Sequence, residues 1–224
     1  MMLSKKIADT ITDELSLSNE QRDVIEYGAF ALLQTLLSIF AVAFFGFLFG
    51  VFYESLIVSF SISILRKSSG GAHASKPSIC VIIGTFFSVA IALFMKYIVS
   101  KISFTYLLVF ALFVYLFSFF VIYKKVPVDS KAKPINSPEK KKKMRKQSYI
   151  ITSLYMFISL ILLSVKPNTN SFPAETYLLS ICGGLAYQVL SLTIFGHKII
   201  GSFDGFLKKI LFRKDVENEK ISVN

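Results

Sequence analysis

Apolar stretches of membrane-spanning length alternate with short polar ones along most of this chain. Six stretches have roughly the twenty apolar residues that an α-helix needs to cross a bilayer core. They are residues 26–46, 48–65, 78–98, 104–123, 148–165 and 175–196. We expect a chain reversal between Gly46 and Gly50, because the first two stretches adjoin there. The pattern predicts an all-α fold, a polytopic membrane helical bundle with about six membrane segments.

The N-terminal segment has a different pattern. Apolar side chains recur there at every fourth position among charged residues: Leu3, Ile7, Ile11 and Leu15. This spacing predicts an amphipathic helix over residues 1–17, which lies on the membrane or caps the bundle. The segment lacks the uninterrupted apolar core of a cleavable signal peptide, so we expect it to stay on the protein. Ser18 and Gln21 have the spacing of a capping box that starts the next helix.

Composition and charge narrow the class of protein. Hydrophobic residues make up 54% of the 224 residues and charged residues only 17%, which disfavours a soluble enzyme. The net charge is +11, but ten basic and two acidic residues at positions 124–146 supply +8 of it. A nucleic-acid partner and a disordered chain are therefore disfavoured. Two Cys are too few for a disulfide framework. A zinc site would need nearly every Cys and His in the chain, so none is indicated, and the sequence has no nucleotide-binding motif.

The basic segment at residues 124–147 sets the expected orientation, because Lys and Arg in short loops favour the cytoplasmic side. Counting crossings outward from it places both termini in the cytoplasm, together with the segment at residues 66–77 and a polar tail at residues 198–224. We expect one integral membrane domain over residues 1–224, multi-pass and located in the cell membrane.

The segment at residues 66–77 is a polar island between two apolar spans. Its glycine pair permits a tight turn, and Pro77 is typical of the first position of a helix. Cys80 then falls in the first turn of the third span, where the helix dipole and backbone N–H groups favour a thiolate. A loop folded back over this helix start would bring the His73 imidazole within hydrogen-bond reach of the sulfur.

A cysteine and a histidine placed in this way can perform nucleophilic catalysis. The imidazole takes the thiol proton, and the thiolate attacks a carbonyl carbon to form a thioester. Backbone N–H groups at residues 78–80 would stabilise the oxyanion. The alternative is that Cys80 is a small packing residue, which is our expectation for Cys182. We expect His197, at the end of the last span, to be interfacial rather than catalytic.

At this point the sequence resembles a known family. Arg66, the run Gly70-Gly71-Ala72-His73-Ala74 and Cys80 after six intervening residues resemble the signature of the accessory gene regulator B family. Its members are membrane endopeptidases of peptide quorum sensing. A second stretch, Val-Pro-Val-Asp-Ser-Lys-Ala-Lys-Pro-Ile at residues 126–135, is similar to a loop of that family. It departs from the family where Lys124-Lys125-Val126 replaces small residues before the proline.

The resemblance implies a cysteine endopeptidase that cleaves the C-terminal part of an autoinducer propeptide and promotes its cyclisation to a thiolactone or lactone. It implies Cys80 as the nucleophile, His73 as the general base, and Arg66 and Gly71 as supporting residues. The implied partners are an amphipathic propeptide with an acidic C-terminal segment and membrane lipid. A homodimer stays open, and no nucleic acid, cofactor or metal is expected.

Other marked residues have a functional and a plainer interpretation. Four consecutive lysines either receive the acidic propeptide segment or serve only as a topology signal: Lys140, Lys141, Lys142 and Lys143. Asp129 would orient His73 as the third member of a triad if their two loops meet. Glu54, inside the second span, is a functional candidate or an interfacial residue.

A small membrane transporter or channel-like component that exports a peptide is the competing function. It accounts for the six spans and for Glu54 but leaves the segment at residues 66–77 unexplained. A membrane scaffold is the third alternative.

Overall fold

The structure is a computed structural model, and it describes residues 2–72, 74–99, 101–128, 137–164 and 173–211. The described residues form eight helices: α1 (Met2–Leu15), α2 (Asn19–Leu48), α3 (Phe52–Ser69), α4 (Pro77–Val99), α5 (Phe104–Lys125), α6 (Pro138–Ser164), α7 (Ala174–Ser191) and α8 (Ile194–Leu211). The predicted all-α membrane bundle is confirmed.

The helices differ in how well they meet the requirements of a membrane span. Among the described residues, α2, α4, α5 and α6 are long and apolar enough to cross a bilayer, and α7 with α8 counts as a fifth span if the bent pair is taken together. The count by length and composition is therefore four or five, against about six predicted. Helix α3 is not counted because Glu54, Arg66 and Lys67 interrupt its apolar character.

The first of two compact units, Met1–Ala41, contains α1 and most of α2. The predicted capping box is present at the start of α2. The Ser18 backbone N–H donates to Gln21 Oε1 at 3.0 Å, and the Gln21 N–H faces Ser18 Oγ at 3.4 Å. Arg22 Nε donates to Asp9 Oδ1 at 2.7 Å, which ties α2 to α1 within this unit.

The second unit, Val42–Asn224, begins with the predicted reversal. Helix α2 ends at Leu48, and Gly50 has a φ of +68°, a conformation that favours glycine. Gly46 has no room for a side chain, because a Cβ there would overlap Ser55 Oγ of α3. The glycine positions thus allow α3 to fold back closely along the end of α2.

Helix α7 lies at the centre of the second unit, where it packs against α3, α4, α5 and α6. Its Leu178, Cys182 and Leu185 side chains are fully buried, so Cys182 is a packing residue in this core, as predicted. A Cβ at Gly184 would lie 2.8 Å from the Val58 carbonyl oxygen of α3. Small residues at such a position let two helix backbones approach closely, which is how membrane helices gain packing contacts.

The basic segment predicted as a loop is partly helical. Lys124 and Lys125 belong to the last turn of α5, and α6 begins at Pro138, so residues 140–143 lie in the first turns of a helix. Proline is favoured at this first position, and lysine is a good helix former, which explains why the polar sequence does not stay irregular.

The tail predicted from residue 198 is also helical as far as Leu211. Helix α8 begins at Ile194 and leaves α7 at an angle of 92°. Phe195, Ile199 and Phe203 are spaced by four residues, so they form one apolar stripe of an amphipathic helix. The bend requires Gly196, because a Cβ there would lie 2.6 Å from the Leu190 carbonyl carbon.

Candidate active site

The loop that joins α3 to α4 (residues 70–76, the α3–α4 loop) begins with the glycine pair. Gly70 and Gly71 have φ values of +76° and +130°, in the region that only glycine adopts without strain. Neither position has room for a side chain. A Cβ at Gly70 would overlap the Val128 carbonyl oxygen, and one at Gly71 would lie 2.9 Å from Ser191 Oγ. The predicted turn is therefore present, and two other segments pack against it.

Arg66 fixes this loop from the last turn of α3. Its Nη2 donates a hydrogen bond to the Ala72 carbonyl oxygen. The guanidinium is partly buried, and a charge-assisted bond of this kind holds a loop more firmly than a neutral one. Arg66 and Gly71 thus both make contacts that determine the path of the α3–α4 loop.

The loop that follows α5 meets the α3–α4 loop, as the triad hypothesis requires. The Val128 N–H donates to the Ser69 carbonyl oxygen at 3.0 Å, and Val128 forms a parallel β-bridge with Gly70. Arg145 of α6 supports this segment, since its Nε donates to the Val126 carbonyl oxygen at 2.8 Å. The first turns of α6, the segment after α5 and the α3–α4 loop therefore form one connected structure.

His73 and Asp129 lie outside the described residues. Their neighbours in the chain are Ala72 and Val128, which belong to the two contacting segments. The predicted general base and the predicted orienting carboxylate stay predictions.

Cys80 lies where the sequence places it, in the first turn of α4. The helix begins at Pro77, and the Cys80 N–H donates to the Lys76 carbonyl oxygen at 3.1 Å. The thiol is free of any disulfide and half-buried. The Cys80 N–H is already bonded within the helix, so it is not an oxyanion donor. Of the donors predicted at residues 78–80, the N–H groups of Ser78 and Ile79 are left.

Gln188 of α7 was missed by the sequence reasoning. Its side chain is fully buried, and Nε2 donates to Ser69 Oγ at 3.0 Å and to the Gly70 carbonyl oxygen at 2.9 Å. A polar amide inside an apolar stretch was the available signal, since such residues are costly to bury in a membrane.

Asp204 of α8 was missed as well. Its Oδ1 accepts from the Ser75 backbone N–H at 2.8 Å and from the Ser75 hydroxyl at 3.1 Å. A single acid in a basic, amphipathic helix gives little signal in the sequence, because its partner lies 129 residues away.

An apolar cavity of about 310 Å³ lies between α4, α7 and α8. Tyr187 lines this cavity beside Gln188. Its ring packs on Phe87 of α4 with 4.9 Å between centroids. Further lining residues come from all three helices: Ile91, Met95, Ala186, Leu190, Phe195 and Ile199.

Three marked residues make their contacts outside this site. Glu54, only 6% exposed, pairs with Lys96 at 3.4 Å, and the rise of α3 places it about 22 Å from Ser69. Cys182 is in the core. The His197 Nδ1 lies 2.9 Å from a carbonyl oxygen of its own turn, and the ring is exposed.

A family model described as accessory gene regulator B matches residues 4–192. This chain belongs to the accessory gene regulator B family. The family processes autoinducing peptide precursors, and membership implies a peptidase that acts on such a propeptide. The matched range of the accessory gene regulator B model includes both loops, Cys80 and Gln188. It ends before α8, so Asp204 lies outside it.

Relatives agree with the assignment to the accessory gene regulator B family. The chain is similar to a "Putative AgrB-like protein 2" of Clostridium perfringens strain 13, with 37% identity over 210 residues, or 93% of this chain and 98% of the relative. A "Putative AgrB-like protein" of strain SM101 has the same identity and coverage. One of Clostridium acetobutylicum is 24% identical over 68% of this chain and 66% of its own length. No solved structure matches the chain.

Proposed function

We propose that this chain is a membrane cysteine endopeptidase that cleaves the C-terminal part of an autoinducer propeptide through a Cys80 thioester and promotes its cyclisation to a thiolactone or lactone. The position of Cys80 carries the proposal. Its half-buried thiol lies in the first turn of α4, directly after a loop that Arg66 and Gln188 hold in place. The family supplies the class of substrate.

The chemistry proceeds in two acyl transfers. The Cys80 thiol gives its proton to His73, and the thiolate attacks the scissile carbonyl carbon. The C–N bond breaks, the leaving amine takes the proton from the imidazolium, and the N-terminal product stays on Cys80 as a thioester. A Cys or Ser within this product then attacks the thioester carbon, and its proton passes to His73. The bond between this carbon and Cys80 Sγ breaks, the ring is released, and the Cys80 thiolate takes the proton back from the imidazolium.

The anchoring of the α3–α4 loop supports the role of His73. Arg66 holds Ala72 on one side of the histidine, and Asp204 holds Ser75 on the other. A general base must be held within hydrogen-bond reach of its proton, so a loop fixed on both sides suits this role. Asp129, which follows Val128, is proposed to orient the imidazole.

The proposed substrate is an amphipathic propeptide with an acidic C-terminal segment. Lys140, Lys141, Lys142 and Lys143 are exposed on the first turns of α6 and are proposed to attract this segment. The apolar cavity that Tyr187 borders is proposed to take apolar side chains of the propeptide. We further propose that both termini and the α3–α4 loop are cytoplasmic, with α3 and α7 each crossing the membrane, because Lys and Arg at the end of α5 and the start of α6 favour the cytoplasmic side.

Glu54 gives no support to the competing transporter function. An unpaired acid facing a water-filled path would favour transport, whereas Glu54 is buried and paired with Lys96.

The test is propeptide cleavage by the full chain in detergent or in proteoliposomes. Cys80→Ala should remove measurable cleavage, and His73→Ala should slow it by about 10²–10⁴-fold, the usual contribution of a general base. Cys182→Ala is the matched control and should keep near-full activity, because this thiol packs in the core. Cleavage that survives in a folded Cys80→Ala protein overturns the mechanism.

A further inference from the structure

We propose that Gln188 and Asp204 are positioning residues of the reaction, and that the bent pair α7–α8 clamps the α3–α4 loop at both of its ends. This role rests on the proposed function, because it has a consequence for activity only if the loop and Cys80 form the active site. Neither residue needs to touch the propeptide. Each acts through the backbone that carries the reacting groups.

Gln188 holds the first end of the loop. Its Nε2 donates to Ser69 Oγ and to the Gly70 carbonyl oxygen, so it fixes the point where α3 stops and the glycine pair begins. Its Oε1 is buried and has no hydrogen-bond partner among the described residues. An apolar side chain of the same size would remove this unpaired carbonyl, but it would also leave the Ser69 hydroxyl and the Gly70 carbonyl oxygen without their donor. The amide of Gln188 therefore ties the backbone at the start of the loop to α7.

Asp204 holds the second end. Its Oδ1 accepts from both the backbone N–H and the hydroxyl of Ser75, two residues before α4 begins at Pro77. The start of α4 fixes where Cys80 points. A carboxylate near a helix N-terminus is also favoured by the helix dipole, so the contact costs little.

The bend between α7 and α8 allows one continuous piece of chain to reach both ends. Helix α7 runs through the core and brings Gln188 beside Gly70. After the 92° bend, α8 packs on α4 and brings Asp204 to Ser75. The loop is therefore held by α7–α8 at two points, in addition to Arg66 from its own side.

Gln188→Met tests the first clamp, because methionine has a similar length and removes both hydrogen bonds together with the unpaired carbonyl. We expect kcat to fall by about ten- to a hundredfold, because a small misplacement of the reacting groups slows the reaction by such a factor. The melting temperature should fall, because the Ser69 hydroxyl and the Gly70 carbonyl oxygen lose their donor, so kcat is measured well below the melting temperature of the variant. KM should stay at the wild-type level. Thr152→Val is the matched control, since Thr152 is a buried residue of α6 whose hydroxyl has no partner among the described residues. It should keep wild-type kcat. Wild-type kcat in Gln188→Met, or a loss that only follows a lower melting temperature, overturns the role of Gln188.

Asp204→Ala and Asp204→Asn test the second clamp. The alanine variant should lower kcat by about tenfold at unchanged KM. The asparagine variant keeps an oxygen at the Oδ1 position and should restore most of the rate. Gly205→Ala, at a neighbouring position with open space around it, is the control and should have no effect. Equal rates in all three variants overturn the role of Asp204.

Cys80→Ala in the same assay distinguishes a failure of the clamp from a failure of the proposed function. If it abolishes cleavage while Gln188→Met and Asp204→Ala keep wild-type kcat, only the clamp is wrong. If Cys80→Ala still cleaves, the proposed function fails and the clamp with it.

Discussion

At the residue scale, Gly71 is one of two adjacent positions in the α3–α4 loop where the backbone conformation excludes other residues. Its φ of +130° is strained for any other residue, and a Cβ at this position would lie only 2.9 Å from Ser191 Oγ. The strain of such a conformation is about 1–3 kcal/mol in a non-glycine residue. This strain would be relieved by moving the loop that precedes α4.

Gly71→Ala should therefore lower kcat/KM at least about tenfold, because the reacting groups shift with the loop. Gly84→Ala is the control, since Gly84 lies inside α4 and a Cβ there would have no atom within 4 Å. It should keep full activity and gain about 0.5–1 kcal/mol of stability, the helix preference of alanine over glycine. The measurements are the cleavage rates and melting temperatures of both variants. A Gly71→Ala enzyme with wild-type activity would refute the inference that this conformation positions the reacting groups.

Individual residues were predictable from sequence where the requirement is local. The glycine turn, the helix start at Pro77 and the place of Cys80 follow from backbone geometry over a few residues, and the structure has all three. The contacts of Gln188 and Asp204 were not predictable, because their partners are 118 and 129 residues away. A contact over that separation exists only once the bundle is assembled.

At the element scale, the start of α6 has a testable electrostatic role. Replacing the four lysines at residues 140–143 with glutamine should raise KM for an acidic-tailed propeptide by about tenfold, because exposed charges raise the local concentration of an anionic segment. The effect on kcat should be smaller.

Replacing the same four lysines with arginine keeps the charge and is the control. Added salt should weaken binding to the wild type in parallel, since exposed charges are screened over about 8 Å at physiological ionic strength. If the glutamine variant inserts correctly and shows an unchanged KM across a salt series, the lysines are a topology signal only.

The cavity between α4, α7 and α8 gives a second prediction at this scale. Ala186→Leu should fill part of the cavity and raise KM by about tenfold, because losing the space for one methylene in an apolar pocket costs about 1–3 kcal/mol of binding. Ala31→Leu, on an exposed part of α2, is the matched control. Equal KM values for the two variants would show that the propeptide does not use this cavity.

Most helices could be predicted because membrane spans have long apolar sequences. The capping box at Ser18 was a local signal for the start of α2. Helix α8 was not predicted, although its apolar residues recur with helical spacing, because the lysines around them suggested a polar tail. In α8 the charged residues share the helix with an apolar stripe, as is common in an amphipathic helix. The basic residues after Pro138 have no such stripe, and they are helical because proline is favoured at the first position and lysine is a good helix former.

At the scale of the whole molecule, antiparallel helices bring the end of α3, the segment after α5 and the end of α7 to one end of the second unit. The contacts of Gly70 with Val128 and Gln188 establish this arrangement. The charge pattern predicted only that all three lie on the same side of the membrane, not that they touch.

Orientation can be measured with a cysteine reagent that does not cross membranes. Cys182 is fully buried, so labelling of the native fold reports on Cys80, and Cys80→Ala supplies the blank. We expect labelling in inverted vesicles and none in intact cells, because the basic residues favour the cytoplasmic side. Labelling of intact cells would place Cys80 outside and remove a cytoplasmic propeptide as its substrate.

The central claim is that Cys80 carries the cleaved peptide as a thioester, and trapping this species tests it most directly. The wild-type chain is mixed with a propeptide whose ring-closing Cys or Ser is replaced by alanine, so that the second acyl transfer cannot occur. Mass spectrometry should then find the N-terminal product on Cys80, released by neutral hydroxylamine and absent from Cys80→Ala. Cleavage without any adduct on Cys80, or an adduct on Cys182, would contradict the account.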